Sequence, residues 1–208
     1  GEKLEQFSVG DENRAAEIEA EMLKQAQGRY LVTSVEKKQR KRNPSPPFTT
    51  STLQQEASRK LGFTAQRTMR TAQQLYEGVD IGGETVGLIT YMRTDSVNLA
   101  AEAVNEIREL IAKRFGDDNL PETPHAYKTK SKNAQEAHEA VRPTSAERIP
   151  EQMKERLTPE QFKLYELIWK RTVSCQMVHA LLDTVAVDLE AGPGNISRAT
   201  GSTLVKPG

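Results

Sequence analysis

The sequence has almost no cysteine and no long apolar run, and each absence excludes a class of protein. Its one cysteine, Cys175, cannot form an internal disulfide or supply a cluster of thiolate metal ligands, so we expect it to serve packing within a helix. No stretch reaches the roughly 20 apolar residues that a membrane helix requires, and the first residues lack the apolar segment of a signal peptide. We therefore expect a cytoplasmic protein without a membrane partner.

The sequence also lacks net charge and is poor in aromatic residues. Its 29 basic and 29 acidic residues balance, which argues against a protein that coats nucleic acid through its overall charge. Basic residues are concentrated in two runs, the first formed by Arg29, Lys37, Lys38, Arg40, Lys41 and Arg42 and the second by Lys128, Lys130 and Lys132. Each run could contact phosphates or form a solvated strand face. Aromatic residues make up 5%, which predicts a core of mostly aliphatic side chains.

Hydrophobic periodicity predicts an α+β fold that is mostly helical. Strand patterns lie towards the two ends of the chain and helical patterns lie between them. Residues 117–132 are polar and aperiodic, which predicts a loop. The predicted helices cover residues 11–27, 51–61, 64–77, 97–114, 134–141 and 158–182, and the predicted strands cover residues 30–39, 86–91, 184–190 and 196–205, the last two as a hairpin.

Local capping signals mark several of these helices. Gly62 is placed to end the helix over 51–61, and Thr64 to cap the helix that follows. Thr158 and Gln161 have the spacing of a capping box, with a proline at the first helical position. These signals predict helix boundaries from neighbouring residues alone.

The placement of strands at both ends predicts a helical domain inserted into a β-rich domain. We expect the β-rich domain to comprise residues 1–48 and 178–208, and the helical domain to comprise residues 49–177. The proline-rich segment 43–47 lies beside the first boundary. Both ends of the sequence suggest a piece of a longer polypeptide.

A short motif in the middle of the chain, Gly87–Ser96, places a tyrosine and an arginine where an apolar strand leads into a predicted helix. Side chains alternate in an extended stretch, so Tyr91 and Arg93 are expected on the same side. The next three residues, Thr94–Ser96, are all good N-cap residues, and a helix beginning there would add unpaired N–H groups that suit an anion. The motif therefore predicts a site that handles phosphate.

Such a site could support nucleophilic attack of the Tyr91 phenol on phosphorus. The phenol of a free tyrosine has a pKa of about 10, so it needs neighbours that favour the phenolate or accept its proton. Arg93 is the obvious neighbour, because a planar guanidinium binds two phosphate oxygens and stabilises developing charge. The same spacing also suits a buried tyrosine at a strand end with a solvated arginine beside it.

Three stretches, in the expected order, resemble the type IA DNA topoisomerases of bacteria. GLITYMRTDS (Gly87–Ser96) resembles the active-site signature of that family. Upstream, PPFTTSTLQQEASRKLGF (Pro46–Phe63) resembles the segment that leads into its tyrosine domain. Downstream, QEAHEAVRPT (Gln135–Thr144) resembles its block with a histidine and an arginine. The resemblance implies a β arch, discontinuous in sequence, that carries a helical tyrosine domain able to swing away and open a gate.

The resemblance also implies roles for individual residues. It implies that Tyr91 becomes joined to the 5′ phosphate of a cut DNA strand, that Arg93 contacts the scissile phosphate, and that His138 assists. The full enzyme would cut and religate one strand and so relax negative supercoils. Four further residues are implied to contact DNA in or beside the site: Thr90, Thr94, Asp95 and Arg142.

The cofactor that the resemblance implies is Mg²⁺, held by clustered carboxylates in a separate domain. The chain has no Asp-x-Asp pattern, so we expect no specific metal site within it. The expected partners are single-stranded or underwound DNA and the remaining domains of the same polypeptide. These 208 residues alone are expected to relax no supercoils.

Two other functions fit parts of the sequence. The predicted helices over 51–61 and 64–77, joined by a short link, resemble a helix-turn-helix unit. A non-enzymatic DNA-binding module would use this pair and the basic runs while leaving Tyr91 idle. A purely structural hinge domain would explain the predicted insertion and would use neither the helix pair nor the tyrosine.

Overall fold

The computed structural model describes residues 5, 8–128 and 139–208, which form two compact units. The sheet unit is built from Gly1–Arg42 and Ala180–Pro207, and the helical unit from Asn43–His179. The expected α+β class is confirmed. The elements are, in chain order, α1 (Glu12–Ala26), β1 (Leu31–Arg42), α2 (Thr50–Leu61), α3 (Ala65–Glu77), β2 (Val79–Asp80), β3 (Thr85–Val86), α4 (Ala101–Phe115), a 3₁₀ turn (Asp117–Asn119), α5 (Pro150–Met153), α6 (Pro159–Ser174), β4 (Ala180–Glu190) and β5 (Ile196–Lys206).

The sheet unit contains an antiparallel sheet with the strand order β1-β4-β5. β1 pairs with β4 from Leu31 opposite Glu190 to Arg42 opposite Ala180. β4 and β5 pair in the same antiparallel sense, so the predicted hairpin is confirmed. The central strand is therefore β4, the first strand after α6 in the sequence.

Helix α1 contacts the turn of that hairpin. Its N-cap is Asp11, whose Oδ1 accepts a hydrogen bond from the Arg14 backbone N–H at 2.8 Å. Gly192, with φ of 77°, lies so near Gln25 that a Cβ atom on the glycine would be 2.4 Å from Gln25 Cβ. Asn195 Nδ2 donates to Gln25 Oε1 at 2.7 Å. The end of α1 is thus held against the turn by a close backbone approach and one amide hydrogen bond.

The sheet unit buries few side chains. Among its described residues only Ala26 and Ala191 are buried, and β1 is exposed along its whole length. Even apolar residues of β1, such as Val32 and Val35, are exposed. The ladder of backbone hydrogen bonds therefore contributes more to this unit than a core does.

The basic run on β1 is divided between two faces of the strand. Alternation sends Lys38 and Arg40 to one face and Lys37 and Lys41 to the other. Lys38 also forms an ion pair with Glu36, two residues away on the same face. The described part of this run is thus a pair of solvated strand faces and not one concentrated basic patch.

The helical unit has a continuous hydrophobic core. The polar atoms of its two large buried aromatic side chains on α6 have partners: Trp169 Nε1 donates to the Ala146 carbonyl at 2.8 Å, and the Tyr165 hydroxyl donates to the Arg148 carbonyl at 2.6 Å. The core is mostly aliphatic, as predicted. Its fully buried side chains include Phe48, Leu53, Leu75, Leu88, Ile89, Met92, Ile107, Ile111, Leu164 and Ile168.

The locally signalled helix boundaries are confirmed. Gly62 ends α2 in the left-handed conformation with φ of 68°, which suits a residue without a Cβ atom. The Thr64 side chain accepts a hydrogen bond from the Arg67 N–H in the first turn of α3, and Thr158 forms the predicted capping box with Gln161 at the start of α6. In each case the stabilising partner is at most five residues away.

Two predicted helix boundaries are wrong. α4 begins at Ala101 and not at residue 97. α6 ends at Ser174 instead of running towards Leu182. The Gln176 side chain exchanges two hydrogen bonds with the backbone of His125, at 3.0 and 2.9 Å, and the chain from residue 180 pairs with β1, so non-local partners end the helix early.

Two other local predictions are also corrected. In the predicted helix over 134–141, residues 134–138 lie outside the described residues and 139–141 are not helical. Val141 instead forms an antiparallel bridge with Phe48. Of the predicted strand over 86–91, only Val86 belongs to a strand, and Ile89 forms an isolated bridge with Pro143. Val141 and Ile89 thus each pair with a segment that is distant in the sequence.

The proline-rich segment groups with the helical unit. Phe48 is fully buried, and the Arg171 guanidinium carbon lies 4.3 Å from the centre of its ring. Arg171 Nη1 also donates to the Pro46 carbonyl at 3.3 Å. We expected the β-rich domain to extend to residue 48, whereas the compact helical unit already begins at Asn43.

Cys175 is buried just after α6. Its Sγ donates to the Thr172 carbonyl at 3.0 Å, and its own carbonyl accepts a 2.7 Å hydrogen bond from the Tyr127 hydroxyl. Burial raises the pKa of the Cys175 thiol to about 12, so the thiol stays protonated at neutral pH. This agrees with the packing role expected for it. Over the described residues, the helices are too short or too polar to cross a membrane.

Candidate active site

The segment around Tyr91 belongs to no helix or strand, bends at Met92, and has an inner and an outer side. From residue 91 to residue 96, exposed and buried side chains alternate. Met92, Thr94 and Ser96 are buried, whereas Tyr91, Arg93 and Asp95 are exposed. We call residues 87–96 the tyrosine segment. Tyr91 and Arg93 therefore both lie on its exposed, outer side.

Thr90 fixes the tyrosine segment to the stretch that follows Glu139. Its backbone N–H donates to the Arg142 carbonyl at 2.9 Å, and its Oγ1 donates to the Ala140 carbonyl at 2.7 Å. The same Oγ1 accepts from the Arg142 N–H at 3.0 Å. The hydroxyl of Thr90, which was expected to contact DNA, forms hydrogen bonds with backbone groups of the protein.

Thr50, the first residue of α2, holds the other end of the tyrosine segment. Its Oγ1 donates to the Met92 carbonyl at 2.8 Å and accepts from the Thr94 N–H at 2.8 Å. The Thr50 N–H in turn donates to the Thr94 carbonyl at 2.9 Å. Three hydrogen bonds from one residue therefore fix the backbone on either side of Arg93.

The C-terminal turn of α3 lies against the start of the tyrosine segment. The Leu88 N–H donates to the Leu75 carbonyl at 2.7 Å. A Cβ atom at Gly87 would lie 2.6 Å from the Tyr76 carbonyl oxygen, so this close approach requires glycine. On the other side, Thr144 Oγ1 donates to the Gly87 carbonyl at 2.7 Å. The segment is thus held at its start, its middle and its end.

The outer side of the segment presents a tyrosine beside an arginine that has no partner among the described residues. The Tyr91 side chain is 46% exposed, so its hydroxyl is not sealed inside the core. Arg93 and Asp95 are exposed and form no hydrogen bond or ion pair with any residue that the structure describes. An unengaged guanidinium beside an exposed phenol is suited to binding a phosphate next to a nucleophile.

Arg142 is engaged within the protein. Its guanidinium forms an ion pair with Glu139 at 2.8 Å and donates to the Pro143 carbonyl at 2.9 Å, and its side chain is only 14% exposed. Glu139 Oε1 also accepts the Ala100 N–H at 2.7 Å, at the N-terminus of α4. The carboxylate therefore connects the start of α4 to Arg142, and this arginine presents little free surface.

The predicted helix start beside Tyr91 is wrong. The Thr94 and Ser96 hydroxyls accept hydrogen bonds from N–H groups two residues ahead, and neither caps α4. The N-cap residue of α4 is Ala100, whose N–H donates a hydrogen bond to Glu139 Oε1. The helix N-terminus that adjoins the tyrosine segment is the N-terminus of α2, at Thr50.

Some predicted site residues lie outside the described residues. His138 is among them, as are Lys130 and Lys132 of the second basic run. Within the described part of the chain, no group of three or more His, Cys, Asp and Glu side chains could hold a metal ion. The described residues therefore do not fit a magnesium site.

Sequence reasoning missed three residues of the site: Thr50, Glu139 and Tyr76. Thr50 and Glu139 act across 42 and 39 positions of the chain, respectively, so no local pattern points to them. Tyr76 lies in the last turn of α3 and its ring contacts the ring of Tyr91, with centroids 5.4 Å apart. A tyrosine two residues before a helix-ending glycine was the available signal, and it is too common to be informative.

Comparisons with known proteins agree on one family. The family model described as DNA topoisomerase matches residues 1–208. Three curated relatives named DNA topoisomerase 1 match over 100% of this chain: those of Xylella fastidiosa strain Temecula1 (58% identical, 26% of the relative's length), Rickettsia bellii (53%, 26%) and Helicobacter pylori strain J99 (46%, 28%). The chain thus spans about a quarter of the length of these relatives.

A solved structure agrees with the sequence comparisons. The full-length topoisomerase I from Thermotoga maritima matches with a TM-score of 0.72 and 39% identity, over 90% of this chain and 30% of that chain. The three stretches that resemble the type IA enzymes therefore lie within a match that covers all 208 residues. The chain belongs to the DNA topoisomerase family.

Proposed function

We propose that this chain is the nucleophile-bearing part of a type IA DNA topoisomerase that cuts and religates one DNA strand. One observation carries the proposal. Tyr91 is exposed beside an unengaged Arg93 on the outer side of a segment whose inner side is fixed by Thr50 and Thr90. A nucleophile on a fixed backbone needs little reorganisation before it reacts.

The proposed reaction is a transesterification at phosphorus. The Tyr91 phenol loses its proton and its oxygen attacks the phosphorus of a backbone phosphodiester. A bond forms between the phenolic oxygen and phosphorus, and the bond from phosphorus to the 3′ oxygen breaks. The 3′ oxygen takes up a proton and leaves as a hydroxyl, while the 5′ phosphate stays joined to Tyr91. Attack by the same 3′ hydroxyl reverses each change and religates the strand, which allows negative supercoils to relax between the two steps.

We propose that Arg93 binds the scissile phosphate. Its guanidinium can donate to two phosphate oxygens at once, and it stabilises the charge that builds up as the phenol attacks. The absence of a partner among the described residues supports this role, because the side chain does not have to leave an ion pair to reach DNA.

The remaining site residues keep their predicted roles as proposals. We propose that His138 assists in the proton transfers and that Thr90, Thr94, Asp95 and Arg142 contribute to binding DNA. Asp95 is the exposed member of the last four. For Thr90, Thr94 and Arg142, the hydrogen bonds within the protein support an indirect contribution, through the position of the tyrosine segment.

The rest of the proposed enzyme lies in other domains of the same polypeptide. We propose that the sheet unit is part of the β arch, that the helical unit is the tyrosine domain, and that Mg²⁺ is held by carboxylates of another domain. Bound there, the ion would help to neutralise the phosphates of the strand. Single-stranded or underwound DNA is the proposed substrate, and the cytoplasm, at the nucleoid, is the proposed location. The match to the topoisomerase family favours this function over a non-enzymatic helix-turn-helix module.

Trapping the covalent adduct tests the proposal. The full-length polypeptide that carries this chain is incubated with Mg²⁺ and a DNA strand labelled on the 3′ side of the cut, and the protein is denatured and analysed for bound label. We expect label on the wild type and on Tyr30→Phe, a matched control at an exposed tyrosine of the sheet unit, and none on Tyr91→Phe. Adduct formation by Tyr91→Phe, or its absence from the wild type, would overturn the proposal.

A second measurement tests Arg93 and the requirement for other domains. Arg93→Lys keeps the charge but loses the planar fork, so we expect adduct formation to slow by about tenfold or more. The 208 residues alone should relax no plasmid, and turnover by them would show that the metal-binding domain is dispensable.

A further inference from the structure

The Tyr91 ring has one aromatic neighbour among the described residues, and it is Tyr76. The two rings meet edge to face, with centroids 5.4 Å apart and planes inclined at 63°. Edge-to-face pairs at this separation are attractive because the positive edge of one ring meets the negative face of the other. The proposed nucleophile therefore has a specific contact on a side chain from a different element.

This contact is held by backbone hydrogen bonds. Leu88 donates to the Leu75 carbonyl, and the absence of a Cβ atom at Gly87 lets the chain pass over the Tyr76 carbonyl. Both rings thus extend from backbones that are fixed against each other within a few residues. Leu75 and Leu88 are fully buried beneath the contact, whereas the Tyr76 ring is 41% exposed and lies outside the core.

We propose that Tyr76 is a positioning residue that holds the ring of Tyr91 in the direction required for attack on DNA. The inference rests on the proposed function of Tyr91. The backbone of Tyr91 is fixed on both sides, but its side chain still rotates about its own bonds, and the Tyr91 hydroxyl has no hydrogen bond to any described residue. A ring that packs edge to face favours one orientation, and a reacting atom that is already oriented lowers the barrier.

The ring of Tyr76, and not its hydroxyl, provides this effect. The Tyr76 hydroxyl makes no hydrogen bond within the described residues, so Phe at this position keeps the whole interaction. Leu keeps apolar volume but has no ring edge or face to offer. Gln suits an exposed helical position and has no ring either. The three substitutions therefore separate the ring contact from the fold.

The experiment measures single-turnover cleavage of a labelled DNA strand by the full-length polypeptide, together with its affinity for the uncleaved strand. Tyr76→Leu and Tyr76→Gln should both slow cleavage by about two- to tenfold, the range that an aromatic pair provides. DNA affinity should change by less than about twofold, because the effect is on orientation and not on binding. Tyr76→Phe should cleave at the wild-type rate, and so should the control Tyr30→Leu on the sheet unit.

The outcomes distinguish a failure of this inference from a failure of the proposed function. If Tyr91→Phe forms no adduct but both ring-free variants cleave like the wild type, Tyr76 has no positioning role and the proposed function stands. A slow Tyr76→Leu beside a normal Tyr76→Gln also overturns the inference, because the loss would then be specific to leucine. If Tyr91→Phe still forms the adduct, the proposed function itself fails.

Discussion

The two units of the chain are stabilised in different ways. The helical unit has a continuous core to which α2, α3, α4 and α6 all contribute. The sheet unit, in its described part, buries two alanines and otherwise depends on the hydrogen-bond ladder of three strands and on one helix. The tyrosine segment belongs to the unit with the core.

This difference indicates which unit can hold a reacting side chain in a fixed position. A site that must hold a phenol in one orientation needs neighbours that cannot shift, and close-packed interiors provide them. A three-stranded sheet with exposed faces can twist and bend at little cost, since few packed side chains resist the change. The proposed assignment of the sheet to an arch and of the helices to a tyrosine domain agrees with this division.

Separating the two units should have the largest effect. Residues 43–179, expressed alone, should unfold cooperatively on heating, because they keep the whole core. The two parts of the sheet unit, joined by a glycine-serine linker, should show no sharp transition, because they bury too little apolar surface. Circular dichroism melting curves test this. A broad transition for residues 43–179, or a sharp one for the joined sheet, would contradict the inferred difference in how the two units are stabilised.

One matched pair of substitutions measures the same difference within the intact chain. Leu53→Ala removes a fully buried side chain from α2 and should reduce the free energy of unfolding of the helical unit by about 2–5 kcal/mol. Leu204→Ala removes the same atoms from β5 of the sheet unit, where the residue is 57% exposed, and should change the free energy of unfolding of the chain by less than about 0.5 kcal/mol. Urea unfolding measures both changes, with the fluorescence of Trp169, the only tryptophan, reporting on the helical unit and far-ultraviolet circular dichroism reporting on both units. Equal effects would contradict the comparison.

A second matched pair tests the anchoring of the tyrosine segment. Thr50→Val is nearly isosteric but leaves the Met92 carbonyl and the Thr94 N–H without their hydroxyl partner, so we expect a loss of about 1–3 kcal/mol. Thr200→Val, on the exposed strand β5, should be neutral within about 0.5 kcal/mol. The same unfolding assay measures both. An unchanged midpoint for Thr50→Val would mean that the anchor contributes little.

The smallest effect is expected from an ion pair on the sheet. Arg198 donates to both oxygens of Asp188, at 2.7 and 2.9 Å, and these hydrogen bonds lower the pKa of the Asp188 carboxyl. A lowered pKa in the folded state stabilises the fold above the ordinary carboxyl range, and this contribution is lost as the pH falls through the lowered value. Exposed ion pairs contribute little, so the change in stability should be small.

Arg198→Met should return the pKa of Asp188 towards its ordinary value of about 3.9. An NMR titration of the side-chain carboxyl carbon measures the shift. Lys206→Met removes a cation from the far end of the same strand and should leave the Asp188 titration unchanged. If both variants titrate alike, the two hydrogen bonds from Arg198 are not the cause.

Helices whose ends depend on neighbouring residues could be predicted from the sequence. Gly62, Thr64 and Thr158 act within a few positions, and the boundaries they signalled are confirmed. The start of α4 could not be predicted in this way. The N–H of its N-cap residue, Ala100, donates to the side chain of Glu139, while the Thr94 and Ser96 hydroxyls accept hydrogen bonds from nearby N–H groups of the segment that precedes the helix.

Part of the candidate site could be predicted from the sequence. The alternation that sends Tyr91 and Arg93 to one side is a local property of an extended chain, and the predicted alternation is observed. The anchors are not local: Thr50 lies 42 positions from Met92 in the sequence, and nothing in the residues between them signals the contact. Their roles follow only from the fold.

The alternating sides of the tyrosine segment constrain its length as well as its composition. One residue inserted between Thr90 and Tyr91 would exchange the two sides, turning the phenol towards the core and the Met92 side chain towards solvent. Two inserted residues would keep the Tyr91 side chain on the outer side, but they would displace Met92 and Thr94 from their hydrogen bonds with Thr50. Insertions between Thr90 and Tyr91 therefore keep the phenol exposed to solvent only if they contain an even number of residues, whichever residues are added.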